Sequence, residues 1–109
     1  MEVTYDKTSH LIFPTAIRYV DLGSEYLIAG KAEDAENVLR VKASVRNFEP
    51  ETNFSVITND GRFYSFSVYY SSYPEATSYD LLTMQKSVGR KTELFLYENM
   101  VTRENQIQL

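Results

Sequence analysis

A Gly-Lys pair, Gly30-Lys31, followed by the acidic run Glu33-Asp34-Ala35-Glu36, is the first place in this chain where residue types suggest chemistry. Glycines let backbone amides wrap a phosphate, and a lysine can reach its oxygens. A Walker loop, however, also needs an earlier Gly at a fixed spacing and a Ser or Thr directly after the Lys. Here Glu25 stands at the first of those positions and Ala32 at the second. The pair therefore reads as part of a polar loop over 30–37, between a strand ending near Ala29 and the next strand. The acids Glu33, Asp34 and Glu36 lack the alternating oxygen ligands and central Gly of a calcium loop, so they read as solvated.

Other chemistry is thinly supplied. His10 is the one histidine and the chain has no Cys, which removes thiolate nucleophiles, disulfides and the usual zinc sets. No Gly-x-Ser-x-Gly elbow is present. Asp and Glu number 15, enough to supply a carboxylate pair in principle, but nothing in their spacing singles one out. The expectation is a protein that is not an enzyme, with no cofactor and no metal.

Two features suit binding instead. Arg40, Lys42 and Arg46 fall on one side of an alternating segment and make a basic stripe. It reads either as a solvated outer face or as a docking surface for an acidic partner. The aromatic run Arg62–Tyr73 could be a stacking platform, but its alternation puts Tyr64, Phe66 and Val68 on one face and Ser65 and Ser67 on the other, which suits a core strand. Tyr69, Tyr70 and Tyr73 break that alternation. With Arg40, Lys42 and Arg46 they form the candidate partner interface, since exposed tyrosines are common where proteins meet.

These side chains must be positioned by strands. The chain has 109 residues, the size of one domain, with net charge −4, which gives no overall basic footprint for nucleic acid. No apolar run approaches the length of a membrane-spanning helix. Nine Tyr and six Phe favour strands over helices. Residues 38–46 alternate between Leu39, Val41, Ala43, Val45 and Arg40, Lys42, Ser44, Arg46, the period of a half-buried strand. Pro14 interrupts an apolar run over 2–22 and suits a strand edge or a switch between sheets.

Residues 52–58 and 62–73 flank Asn59-Asp60-Gly61 and predict a hairpin. A loop of those three residues sets Phe54 opposite Phe66, Val56 opposite Tyr64 and Thr52 opposite Val68. A two-residue loop would scatter the apolar side chains over both faces. The longer loop also uses Gly61 in a left-handed conformation. Further on, Ser78–Val88 has Leu81, Leu82, Met84 and Val88 at helical spacing, with Ser78 as N-cap and Gly89 as stop. Glu93–Tyr97 suits one more short strand. The expected fold is all-β, an antiparallel sandwich or barrel-like domain with a short helix near 78–88. The domain spans 1–74, or 1–97 if the last strand joins it, and 98–109 form a polar tail.

Several blocks of this sequence resemble the TraN family of Bacteroides conjugative transposons. They are Asp6–Pro14, Ile17–Gly23, Ile28–Glu33, Glu36–Ala43, Glu51–Val56 and Asp60–Phe66, in order, within residues 3–74. More distantly, Thr52-Asn53-Phe54 and Tyr64-Ser65-Phe66 are similar in layout to the N-terminal β domain of TrbG/CagX-like type IV secretion subunits. The resemblance implies a non-enzymatic, structural part of a DNA-transfer channel. It implies a periplasmic, outer-membrane-associated location, with a leader outside this chain. Other channel core proteins would be its partners, with homo-oligomers also expected. Neither direct nucleic-acid binding nor membrane insertion by this region is expected. Family members are longer, and the similarity does not continue from Glu75 onward. A carbohydrate-binding or cell-surface sandwich is the alternative reading.

Overall fold

Alternating side chains dominate the computed structural model, which describes residues 1–82. Eight strands form: β1 (Glu2–Val3), β2 (Ser9–Ile12), β3 (Ile17–Leu22), β4 (Leu27–Ala32), β5 (Ala35–Ala43), β6 (Thr52–Thr58), β7 (Phe63–Tyr70) and β8 (Ser78–Asp80). They make two four-stranded sheets, the first ordered β1-β7-β6-β3 and the second β4-β5-β2-β8. The domain is all-β and sandwich-like. The sheets are mixed rather than purely antiparallel, because β1 runs parallel to β7 and β8 parallel to β2. Side-chain alternation sets which face is buried but carries no information about strand direction.

The core lies between the sheets. From the second sheet come Leu11, Leu39, Val41 and Ala43, all fully buried, and from the first Val3, Phe54, Val56 and Val68, also fully buried. Phe13 follows β2 and is fully buried, with its ring edge-on to Tyr64 at 5.0 Å and to Phe66 at 6.3 Å. Asn37 accepts a backbone bond from the Phe13 N–H at 2.8 Å and donates its side-chain amide to the Phe13 carbonyl at 3.0 Å. Pro14 comes next, where the chain leaves β2 for β3 in the other sheet. Of the two expected places, a strand edge or a switch between sheets, Pro14 takes the switch, where proline has no N–H to leave unpaired.

The β6–β7 register is the expected one: Phe54 opposite Phe66, Val56 opposite Tyr64, Thr52 opposite Val68. The Gly61 N–H closes the turn onto the Thr58 carbonyl at 2.8 Å, and Gly61 has φ 85°. Thr58 faces inward and is fully buried, so its hydroxyl needs a partner, and it donates to the Asp60 carboxylate. Burial pushes the Asp60 carboxyl up, but the Thr58 hydroxyl, the Arg62 N–H and the Arg62 charge outweigh it and hold the carboxyl below 3.8. A depressed carboxylate adds stability that is complete above its unfolded value and is lost as pH falls through the folded one. Asp60→Asn should therefore flatten the loss of urea midpoint on acidification below pH 3.8. An acid limb as steep as the parent's would remove Asp60 from that role.

The β4–β5 connection corrects the expected polar loop over 30–37. It is a tight hairpin in which Ala32 faces Ala35 across Glu33-Asp34. Asp34 takes φ 66°, a left-handed conformation that Asp tolerates because its short side chain bonds locally. The Gly-Lys pair thus lies inside a strand, and β5 is a strand, not the helix of a phosphate loop. The alternating strand runs 35–43 rather than 38–46. Val45 is 44% exposed, because Asn47 (φ 56°) turns the chain and brings Phe48 back to the core instead. Phe48 stacks on Tyr26 at 4.8 Å and meets Tyr70 edge-on at 5.5 Å.

The helix expected over 78–88 is also corrected at its start. Ser78–Asp80 form β8, beside β2, and the His10 N–H bonds the Thr77 carbonyl at 2.9 Å. Helical residues begin only at Leu81, which is buried. An open sheet edge offers ladder bonds that override local helical spacing. The fold therefore continues past residue 74. The remainder of the expected helix, the strand at 93–97 and the tail at 98–109 lie outside the described residues.

Gly23 ends β3 at a close approach, its N–H bonding the Asn53 carbonyl at 2.7 Å. A Cβ there would sit 2.8 Å from that carbonyl oxygen and collide with the Asn53 side chain. Gly23→Ala should lose about 1–3 kcal/mol in urea unfolding through this overpacking. An unchanged midpoint would mean β3 and β6 can part without loss.

Candidate interaction surface

The outer side of β5 carries the basic stripe. Arg40 lies opposite Gly30 of β4 and His10 of β2, and Lys42 lies opposite Ile28. The fold then divides the three cations. Arg46 grips Asp6 through two bonds of 2.9 Å, and its guanidinium stands 4.4 Å from the Tyr5 ring centre. The Lys42 Nζ reaches the same ring at 5.1 Å. The hydrogen bond from Arg46 holds the Asp6 carboxyl below its ordinary value, and the same bond raises Arg46. Both partners are exposed, so the pair steadies the bend between β1 and β2 without adding much stability. Arg40 has no hydrogen bond or ion pair among the described residues.

The tyrosines also separate. Tyr69 faces out of the first sheet opposite Glu2 and is 48% exposed, and Tyr73 is 89% exposed just beyond β7. Tyr70 faces inward, because the alternation of β7 continues through it. It packs against the core, and its hydroxyl accepts from the Thr4 hydroxyl at 3.3 Å and the Tyr5 N–H at 3.4 Å. Tyr70 is thus a packing residue. Arg40 and Lys42 lie on the outer face of one sheet and Tyr69 on that of the other, so the expected interface residues do not converge on one patch. His10 stands beside Arg40 across the strands, a cationic neighbour that disfavours a metal ion there. Among the described residues no three acidic or histidine side chains gather into a metal-holding group.

Two features went unread in the sequence. Register places Tyr19, Ile57 and Phe63 in one row across β3, β6 and β7 on the outer face of the first sheet. The other feature is a groove of about 210 Å³ between β3 and β4, lined by residues including Arg18, Tyr19, Ala29 and Lys31. These two strands end their respective sheets, so each has a side without a strand partner among the described residues. The Lys31 ammonium crosses the groove mouth and donates to the Ile17 carbonyl at 3.4 Å. Counting back from a Glu33-Asp34 turn would have put Leu27, Ala29 and Lys31 on one face. The assumption of a long loop hid that signal.

The fold defines a small β-sandwich-like module of two mixed sheets with a hydrophobic core between them. The chain belongs to the family described as Domain of unknown function (DUF8473), whose model matches residues 1–74. No curated protein and no solved structure matches the chain.

Proposed function

We propose that this domain is a structural, non-enzymatic component of a conjugative, type IV secretion-like DNA-transfer apparatus, acting through protein–protein contacts in the periplasm near the outer membrane. The observation that carries the contact mode is the pair of sheet edges, β3 and β4, that have no outer strand partner among the described residues and border one cationic groove. Open edges are ready templates for an added strand, which is how many β domains bind extended segments. Of the blocks that resemble the transfer proteins, Ile17–Gly23 spans β3 and Ile28–Glu33 takes in all of β4 but Leu27, so the likeness reaches both of these edges. A sugar-binding platform would want adjacent coplanar tyrosines. Tyr69 instead lies six residues along β7 from the Tyr19–Ile57–Phe63 row, about 20 Å away at strand spacing.

A pull-down with the other core proteins encoded beside this chain tests the reading. Retention of one or more of them is the expected result. A set of neighbouring genes without transfer functions, together with no retained core protein, would sink it.

A further inference from the structure

We propose that the open edge of β4 is the docking strand, and that it takes an extended acidic segment of a partner protein. The proposal rests on the contact mode given above and names its site and ligand chemistry. In an antiparallel ladder, successive residues point their N–H and C=O groups alternately toward one neighbour and then the other. The Ser44 N–H bonds the Tyr26 carbonyl, whereas Asn37 and Ala43 bond toward the β2 side, to Phe13 and Thr4. In this register Ile28 and Gly30 exchange bonds with Lys42 and Arg40, and the backbone groups of Leu27, Ala29 and Lys31 face away from β5. Among the described residues, that leaves a run of donors and acceptors without a strand partner, with the spacing of one further strand.

Charge selects the occupant. On the groove side, the incoming strand meets Lys31 and Arg18, neither of which has a carboxylate partner among the described residues. On the outer side it meets Gly30, where a Cβ would have nothing within 4 Å, and beyond that Arg40, which has no ion-pair partner among the described residues. A residue opposite Gly30 lies about 10 Å from Arg40 across two strand spacings, within the combined reach of extended Glu and Arg side chains. The missing side chain leaves that path open. The edge of β3 is the weaker template, because its pairing with β6 is irregular between Ile17 and Tyr19, and such bulges blunt an edge.

The test titrates the full chain with the peptide Glu-Val-Glu-Glu-Val-Glu and with a counterpart carrying Lys for Glu. Binding is read by calorimetry, and amide exchange at Leu27, Ala29 and Lys31 is read by NMR. The acidic peptide should bind, more weakly as salt rises, and should slow exchange at those three amides. The Lys peptide should bind at least about tenfold more weakly, a difference of about 1.4 kcal/mol. Ala29→Pro removes an outward N–H without touching the β5 ladder and should weaken acidic-peptide binding about tenfold. Arg40→Glu should do likewise while leaving the fold intact.

Equal binding of both peptides overturns the proposal. So does protection appearing at β3 or β8 instead, or full protection of the three amides before any peptide is added. A concentration-dependent dimer protecting the same amides would assign the edge to a second copy and overturn the acidic partner. The two readings fail separately. Peptide binding without retention of core proteins keeps the edge and removes the transfer role. Retention unaffected by Ala29→Pro does the reverse.

Discussion

Val41→Asp should unfold this domain at room temperature, while Arg40→Thr, one residue earlier, should change its stability by less than about 1 kcal/mol. The two positions lie on opposite faces of β5. Val41 is fully buried in the core, opposite Ser9 and Ala29, and Arg40 is exposed without a polar partner among the described residues. A carboxylate at position 41 would be desolvated with no cation to meet it, because Arg40 and Lys42 both point out of the other face of the sheet. An unpaired buried charge costs several kcal/mol, and the lost valine contributes about 1.5–3 kcal/mol more. Domains of this size hold a few to about 10 kcal/mol in all, at the lower end of the common range. Far-UV circular dichroism and amide dispersion read the outcome. A folded Val41→Asp protein at neutral pH would mean that the second sheet can slip register or that water reaches the core.

Phe54→Ala should lose about 3–5 kcal/mol in urea unfolding. Phe54 is fully buried and stacks on Phe66 at 4.7 Å with the rings 26° apart. Phe66 in turn meets the ring of Phe13, so removing Phe54 opens a void between the first sheet and the β2–β3 crossover. Phe66 is anchored on β7 and Phe13 directly after β2 of the other sheet, which limits collapse into that void. Phe63→Ala, in the same hairpin but on its outer face, should lose only about 1 kcal/mol. Similar losses at the two positions would contradict the face assignment that the three-residue loop sets.

Asp6 and Asp60 sharpen how acid acts on the fold. Both carboxyls sit below their ordinary value in the folded chain, Asp6 through Arg46 and Asp60 through the net effect of its turn partners. Each therefore favours the native state fully above the unfolded value and loses that contribution as pH falls through the folded one. Asp60 is tied to a buried hydroxyl and holds a hairpin, whereas Asp6 is exposed and holds a bend at the surface.

Local pattern was enough for much of this protein. The alternation of Leu39, Val41 and Ala43 placed β5 and its buried face, because a period of two admits one apolar side per strand. The residues Asn59-Asp60-Gly61, with apolar side chains at matching distances on either flank, set both loop and register. Pro14 marked the crossover, since a residue without an N–H is poorly placed inside a ladder. The nine Tyr and six Phe favoured strands, and the succession of short strand and turn signals pointed to an all-β domain.

Partnership between distant segments was decided only in three dimensions. No periodicity could say that Glu2–Val3 would lie parallel to β7, or that Ser78–Asp80 would leave a helical spacing to pair with β2. Those choices depend on which edges remain open once the hairpins have formed, and that is a property of the whole sandwich. The surface followed the same logic. Arg40, Lys42 and Arg46 looked alike in sequence, yet Tyr5 and Asp6, reaching over from the β1–β2 bend, engage two of them and leave Arg40 without a partner among the described residues. A residue's face is encoded by its immediate neighbours, but its partner is encoded by everything that packs around it.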